Sequence, residues 1–161
     1  MPTRVPCSPL PEEVLLPELI ADLLGRGLRV RLGVGGVSMA PWLRDHDHVV
    51  VEPLHGKQAR FGDLVLFRNA RGALVLHRVV RRWRDSRGRH RLQTRGDANI
   101  RLDPSIDHAR VLGRVRRTER MGRGSIDLQT AGERLRAVVV GTGKLLRSAL
   151  YYKLRSSAQA P

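Results

Sequence analysis

The sequence predicts a mainly β domain, a coiled antiparallel sheet or partly open barrel, with short N-terminal and C-terminal helices. Apolar and basic residues alternate from Leu28 to Leu32, which is the period-two pattern of a half-buried strand. Further short apolar runs follow, separated by glycine, aspartate and asparagine, as in antiparallel sheets. The chain has 161 residues, enough for one core, and only 4% are aromatic, so leucine and valine must fill that core.

Six or seven short strands are expected between residues 28 and 117, which we assign as the β core. Turn residues such as Phe61-Gly62-Asp63 lie between them. The runs that indicate the strands are Leu28–Leu32, Val49–Val51, Leu64–Phe67, Leu74–Val80 with Trp83, Arg91–Thr94 and Val111–Val115.

One helix is expected before the sheet, over residues 11–27. Pro17 suits its first turn, and Gly25 or Gly27 suits its end. Residues 1–10 hold three prolines and are expected to form a flexible arm. The apolar residues at helical spacing are Leu16, Leu19, Ile20, Leu23 and Leu24.

A C-terminal extension, residues 118–161, is expected to contain an amphipathic helix that starts near Arg134. Its apolar residues run from Leu135 to Tyr152, and most of its basic residues lie off that face. Packing on the domain and contact with an acidic membrane surface both fit this pattern.

The net charge of +15 favours anionic partners, although a solvated basic surface explains it equally simply. The few aromatic residues do not interleave with the arginine clusters, so nucleic acid is not expected as a partner. Peripheral contact with an acidic membrane surface stays open. No pattern indicates an oligomeric state.

We expect a cytoplasmic protein. The chain lacks the run of about 18–20 apolar residues that spans a bilayer, and it lacks the parts of a signal peptide. Cys7 is the only cysteine, so no disulfide can form within the chain. His46 and His48 with their neighbouring aspartates follow no clear metal-ligand spacing, so neither a metal nor another cofactor is expected.

Ser38 is the first candidate for chemistry, in the run Gly-Gly-Val-Ser-Met-Ala-Pro over residues 35–41. Glycines before a nucleophile let the backbone turn sharply and expose the side chain. Backbone N–H groups of such a turn can also face a substrate carbonyl as an oxyanion hole. Taken alone, the run favours a structural serine in a glycine-rich hairpin over a nucleophile.

His77 follows 39 residues later, inside an apolar run. On a strand it shares one face with Val75 and Val79, so a buried imidazole there needs a hydrogen-bond partner. A neutral imidazole is also the general base that a serine hydroxyl requires near pH 7. Asp97 and Asp103 could each orient that imidazole, and both also fit ordinary turn chemistry. Spacing does not choose between them.

Five blocks within residues 28–117 resemble the signal peptidase I family, part of a larger group that includes the self-cleaving repressor proteases. The resemblance implies a coiled β fold with the active site in a groove, where substrate binds as an extended strand. The blocks, in order, are Gly-Val-Ser38-Met39-Ala-Pro41, Phe61-Gly62-Asp63-Leu-Val-Leu-Phe67, Leu76-His77-Arg78-Val79-Val80, Gly96-Asp97-Ala98-Asn99 with Asp103, and Val111-Leu112-Gly113-Arg114-Val115.

His77 makes this chain similar to the archaeal and endoplasmic-reticulum members, because most other members have a lysine base at that position. The resemblance implies that Ser38 is the nucleophile and His77 the general base. It implies Asp103 as the orienting acid and Asp97 as a supporting residue. The positions implied for substrate and oxyanion contacts are Gly36, Val37, Met39 and Pro41.

Two features depart from that family. Its members usually have a transmembrane helix just before the serine block, whereas here the short helix near Leu16–Leu24 precedes it. Gly36 stands where several members offer a hydroxyl to the oxyanion, so an oxyanion hole must rely on backbone N–H groups such as that of Ser38.

The expected function is a serine endopeptidase that cleaves a specific peptide or precursor protein through an acyl-enzyme. Self-cleavage is disfavoured, since 37 residues before Ser38 leave no room for a DNA-binding domain and contain no Ala-Gly or Cys-Gly pair. The alternative is a catalytically inactive basic β domain that binds nucleic acid, acidic lipid or a partner protein.

Overall fold

The computed structural model describes residues 12–120 and 124–127, which form a helix and one curled antiparallel sheet, a half-barrel. The predicted mainly β class is confirmed. The predicted arm, residues 1–10, and the predicted C-terminal helix lie outside the described residues. The elements are helix α1 (Glu12–Gly25) and strands β1 (Val30–Gly33), β2 (His48–Glu52), β3 (Leu64–Arg68), β4 (Leu74–Arg84), β5 (His90–Arg95), β6 (Ile106–Asp107), β7 (Val111–Arg120) and β8 (Gly124–Asp127), with a 3-10 turn at His108–Arg110.

The strand order in the sheet is β1-β2-β7-β3-β4-β5-β6, and β8 pairs with β7. All neighbouring strands are antiparallel. The register shifts between Val50 and Val51 where β2 meets β7, and between Leu66 and Phe67 where β3 meets β7. Such bulges increase the local bend and twist of a strand, which suits the curl of this sheet.

Strand β3 separates two hydrophobic clusters. Neighbouring residues of a strand point to opposite faces, so Leu64 and Leu66 enter the first cluster while Val65 and Phe67 enter the second. All four side chains are buried, which explains why this strand is continuously apolar rather than alternating. The first cluster also includes residues of α1. The second lies on the face of the sheet to which His77 of β4 belongs.

Helix α1 packs on the first cluster through Ile20 and Leu24, whereas Leu16 and Leu19 are more than half exposed. Pro17 lies inside the helix, so its predicted place in the first turn is wrong. Its carbonyl accepts a hydrogen bond from Arg68 Nη2 at 2.9 Å, which ties the helix to β3. No helix within the described ranges combines the length and the apolar character needed to cross a bilayer.

The sheet extends beyond the predicted runs at two places. Strand β4 continues to Arg84, because basic, exposed residues there still pair with β5. Strand β7 runs to Arg120 and pairs with β8, so the sheet continues past residue 117.

Gly113→Ala should destabilise the sheet where β7 passes β2. An added Cβ would lie 2.6 Å from the carbonyl oxygen of Glu52 and 2.8 Å from Cγ1 of Val51, so the backbone would have to move. We expect the free energy of unfolding to fall by about 1–3 kcal/mol, measured by urea denaturation. Gly33→Ala is the matched control, since a Cβ at that strand position meets nothing within 4 Å. An equal loss in both variants would contradict this packing.

Candidate active site

Ser38 lies in the loop between β1 and β2, as the second residue of a tight turn. Gly36 has φ +86°, a conformation that favours glycine, and it reverses the chain just before the serine. The turn closes where the N–H of Ala40 donates to the carbonyl of Val37 at 3.1 Å. Val37 is 77% exposed, so the turn presents its tip to solvent.

The residues after Ser38 anchor this turn in the first hydrophobic cluster. Met39 is buried, and its carbonyl accepts a hydrogen bond from the N–H of Leu43, which is also buried. The peptide bond between Ala40 and Pro41 is cis. Ser38 therefore lies between the exposed tip of the turn, at Val37, and a following segment that is anchored in the hydrophobic cluster.

His77 lies in β4 directly opposite Val65 of β3, on the face of the second cluster. Only 8% of the residue is exposed, and its ring meets Phe67 edge to face at a centroid distance of 6.4 Å. Its Nε2 atom lies 3.2 Å from Ser38 Oγ. The face assigned from the alternation of Val75, His77 and Val79 is the observed one, because both valines pack in this cluster.

Asp103 orients His77 from the other side of the ring. Its Oδ2 atom lies 2.6 Å from His77 Nδ1. Because an ionised carboxylate can only accept, this contact places the imidazole proton on Nδ1 and leaves Nε2 free to accept the serine proton. Ser38, His77 and Asp103 thus have the mutual geometry of an activated serine nucleophile.

Thr94 is a site residue that the sequence interpretation missed. It is fully buried in β5, opposite Val79 of β4, and its hydroxyl donates to Asp103 Oδ2 at 2.8 Å. Its carbonyl also accepts the N–H of Asp103 at 2.9 Å, so Thr94 fixes the aspartate twice. The only signal in the sequence was the strand preference of threonine, which does not single out this residue.

Asp97 bonds to Arg78 rather than to His77. The two side chains form a bidentate pair, with Nε–Oδ1 at 2.8 Å and Nη2–Oδ2 at 2.6 Å, and both are buried. Arg78 Nη1 also donates to the carbonyl of Gly62 at 2.9 Å. The two aspartates that spacing left open therefore take separate places, Asp103 beside the histidine and Asp97 beside the arginine.

The turn that contains Asp97 holds the backbone of Ser38. The N–H of Ala98 donates to the carbonyl of Ser38 at 2.8 Å. A Cβ on Gly96 would lie 2.6 Å from that same carbonyl oxygen and 3.0 Å from His77 Nε2. Glycine is thus required at position 96, because any side chain there would clash with the backbone of Ser38 and crowd the imidazole of His77.

A third buried charge lies beside this pair. Arg95 is 5% exposed, and burial lowers the pKa of its guanidinium, while Asp97 counteracts that effect and Arg78 adds to it. The carboxylate of Asp97 therefore attracts two buried guanidinium groups, those of Arg78 and Arg95.

An apolar pocket of about 280 Å³ opens beside Ser38. Gly33, Gly35 and Gly36 line one part of it. The aliphatic lining comes from α1 and from four strands, and includes Leu16, Ile20, Leu32, Leu66, Leu74 and Leu76. A side chain that entered this pocket would bring its own backbone next to the serine hydroxyl.

Backbone N–H groups are the available donors for an oxyanion, since Gly36 offers no hydroxyl. The N–H of Ser38 makes no hydrogen bond to any residue of the described ranges. A free N–H next to the attacking oxygen is the donor that a developing oxyanion needs.

The segment Asp45–His48 does not assemble a metal site. Arg120 binds the carboxylate of Asp47 at 2.7 Å, and this contact lowers the pKa of Asp47. His46 lies at the surface, 3.3 Å from Asp45. Among the described residues, no three histidine, cysteine or acidic side chains are grouped so that they could hold a metal ion.

Asp97→Asn should destabilise the protein strongly. The amide keeps the shape of the side chain but removes the counter-charge of the buried Arg78, and breaking a buried pair costs about 3–5 kcal/mol. Urea unfolding measures the loss. Asp22→Asn, in an exposed pair with Arg26, is the control and should change stability by less than about 1 kcal/mol. Wild-type stability of Asp97→Asn would show that the pair does not hold the site together.

Comparison with known proteins finds no family model that matches the chain and no curated protein that is similar to it. The resemblance to signal peptidases therefore stays a prediction from the motifs of the sequence.

Proposed function

We propose that this chain is a serine peptidase that hydrolyses a peptide bond through a covalent acyl-enzyme. The observation that carries the proposal is the chain of hydrogen bonds from Ser38 Oγ to His77 Nε2 at 3.2 Å and from His77 Nδ1 to Asp103 at 2.6 Å. A serine hydroxyl needs such a base to become a nucleophile, and the base needs a partner that fixes its tautomer.

The reaction begins when Ser38 Oγ attacks the scissile carbonyl and its proton passes to His77 Nε2. The carbonyl oxygen becomes an oxyanion, which the free N–H of Ser38 stabilises. His77 then gives the proton to the leaving amine, and the amine-side fragment departs. Water, activated by the same imidazole, attacks the ester on Ser38 and regenerates the hydroxyl. Asp103 stabilises the imidazolium at each transfer.

The proposed substrate is a peptide or precursor protein with an apolar side chain beside the scissile bond. The pocket next to Ser38 is lined by glycine and aliphatic residues and has room for a branched side chain. Leu16 and Ile20 of the N-terminal helix line this pocket, so the helix takes part in recognising the substrate.

Ser38→Ala and His77→Ala should each abolish cleavage. A library of peptides with alanine, valine or leucine before the cut is incubated with each protein, and products are identified by mass spectrometry. We expect a loss in kcat of at least about 10⁴-fold, since either change removes the nucleophile or its base. Ser86→Ala, in the exposed turn between β4 and β5, is the control and should cleave like wild type.

The same assay separates the peptidase from the alternative of an inactive basic binding domain. Cleavage that survives in Ser38→Ala would come from a contaminant or another site and would overturn the proposal. If the folded wild type cleaves no peptide of the library, the binding-domain interpretation is favoured.

Leu16→Trp should change the size of the side chain that the enzyme accepts. Leu16 lines the pocket and is 57% exposed, so a larger side chain there narrows the pocket without displacing buried neighbours. We expect kcat/KM to fall about tenfold or more for peptides with leucine at the pocket and to change little for alanine. An equal fall for both peptides would place the substrate side chain elsewhere.

A further inference from the structure

A second cleft, of about 220 Å³, lies where the ends of β4 and β5 meet the loop after β2. Arg82 and Arg84 line it and stand five and seven residues beyond His77 on the same strand. At about 3.3 Å per residue, they lie roughly 17–23 Å along β4 from the candidate active site. The cleft is therefore a separate site.

Of the described residues, three guanidinium groups and no carboxylate line this cleft. Arg82 and Arg84 come from β4 and Arg91 from β5. Arg91 is held in place by Ser105 Oγ at 3.0 Å and, more distantly, by Asp107 at 3.9 Å. The lining thus has a concentrated positive charge that its own residues do not neutralise.

Two of these arginine side chains have no strong partner among the described residues. Within those ranges, the one hydrogen bond from the Arg82 side chain is a long approach of 3.5 Å to the carbonyl of Ala59. The Arg84 side chain makes no hydrogen bond or ion pair with any residue in the ranges 12–120 and 124–127. Both side chains are exposed, so neither would have to give up a strong partner to bind an anion.

Two histidines, His90 and His108, also line the cleft. His108 Nε2 accepts the N–H of Ala59 at 3.0 Å, and His90 Nε2 accepts the side-chain amide of Gln58 at 2.6 Å. Each ring therefore carries its proton on Nδ1, and neither Nδ1 bonds to another described residue. Burial lowers the pKa of His108, the neighbouring His90 lowers it further, and Asp107 counteracts both.

We propose that this cleft binds a phosphate group, either as inorganic phosphate or as the phosphate monoester of a small molecule. A tetrahedral phosphate accepts hydrogen bonds from several directions, which suits donors that come from β4, β5 and the 3-10 turn. A planar carboxylate would leave most of these donors without a partner. The volume holds the phosphate and a small attached group, but not a folded partner.

Isothermal titration of the full-length protein with inorganic phosphate at low ionic strength tests the proposal. We expect saturable binding at one site, weakened about tenfold or more in Arg82→Gln and in Arg84→Gln, because each removes charge-assisted hydrogen bonds. Arg87→Gln is the matched control. It removes the same charge from the same hairpin but does not line the cleft, and it should bind phosphate like wild type.

A parallel titration with glycerol phosphate identifies the source of the phosphate. Tighter binding of the monoester would assign a phosphorylated small molecule, and equal binding would assign inorganic phosphate. In NMR spectra, either ligand should shift the ring signals of His90 and His108 in wild type and in Arg87→Gln.

Three results would overturn the proposal. The first is the absence of saturable phosphate binding. The second is phosphate binding that Arg87→Gln weakens as much as Arg82→Gln and Arg84→Gln do, which would show that only the overall charge matters. The third is binding to vesicles that contain phosphatidic acid without displacement by free phosphate, which would assign a membrane surface instead. Peptide cleavage is not a readout here, so the proposed peptidase stands or fails independently.

Discussion

The buried ion pair between Arg78 and Asp97 is the interaction on which the candidate active site depends. Arg78 follows His77 on β4, and Asp97 lies in the turn whose next residue, Ala98, holds the carbonyl of Ser38. One bidentate contact thus joins the strand of His77 to the turn that fixes the backbone of Ser38. Such a pair adds little net stability compared with apolar side chains in the same place. A conformation in which either charge lost its partner would, however, be strongly disfavoured.

The proposed chemistry uses this frame to keep the reacting groups away from bulk water. His77 is nearly buried against Phe67, and Asp103 is fixed by the fully buried Thr94. The serine, in contrast, is only half-buried and lies next to the exposed Val37, beside the pocket that we propose a peptide side chain enters. A rigid base beside an accessible nucleophile favours catalysis, because little reorganisation is needed when charge develops. The far end of β4 lines a separate, basic cleft, where the side chains of Arg82 and Arg84 form no ion pair with any described residue.

The strands could be predicted from the sequence because alternation and apolar runs are local properties, as the predicted Leu64–Phe67 and the observed β3 show. Strand β6 has two residues, too few to form a pattern. Spacing alone does not separate Asp97 from Asp103; the resemblance favours Asp103 beside the histidine, and the structure places Asp103 there. Thr94 carried no signal beyond its strand preference. The pocket beside the serine is assembled from the helix and four strands, so no local pattern could reveal it.

The central claim is that Asp103 holds His77 in the tautomer that can take a proton from Ser38. Nitrogen-15 NMR of the imidazole rings, with the His77 signals assigned from His77→Gln, shows directly which ring nitrogen carries the proton. In the neutral imidazole we expect the proton on Nδ1 and none on Nε2, and we expect Asp103→Asn to remove that preference. A proton on Nε2 in the wild type, or an unchanged His77 spectrum in Asp103→Asn, would contradict the claim.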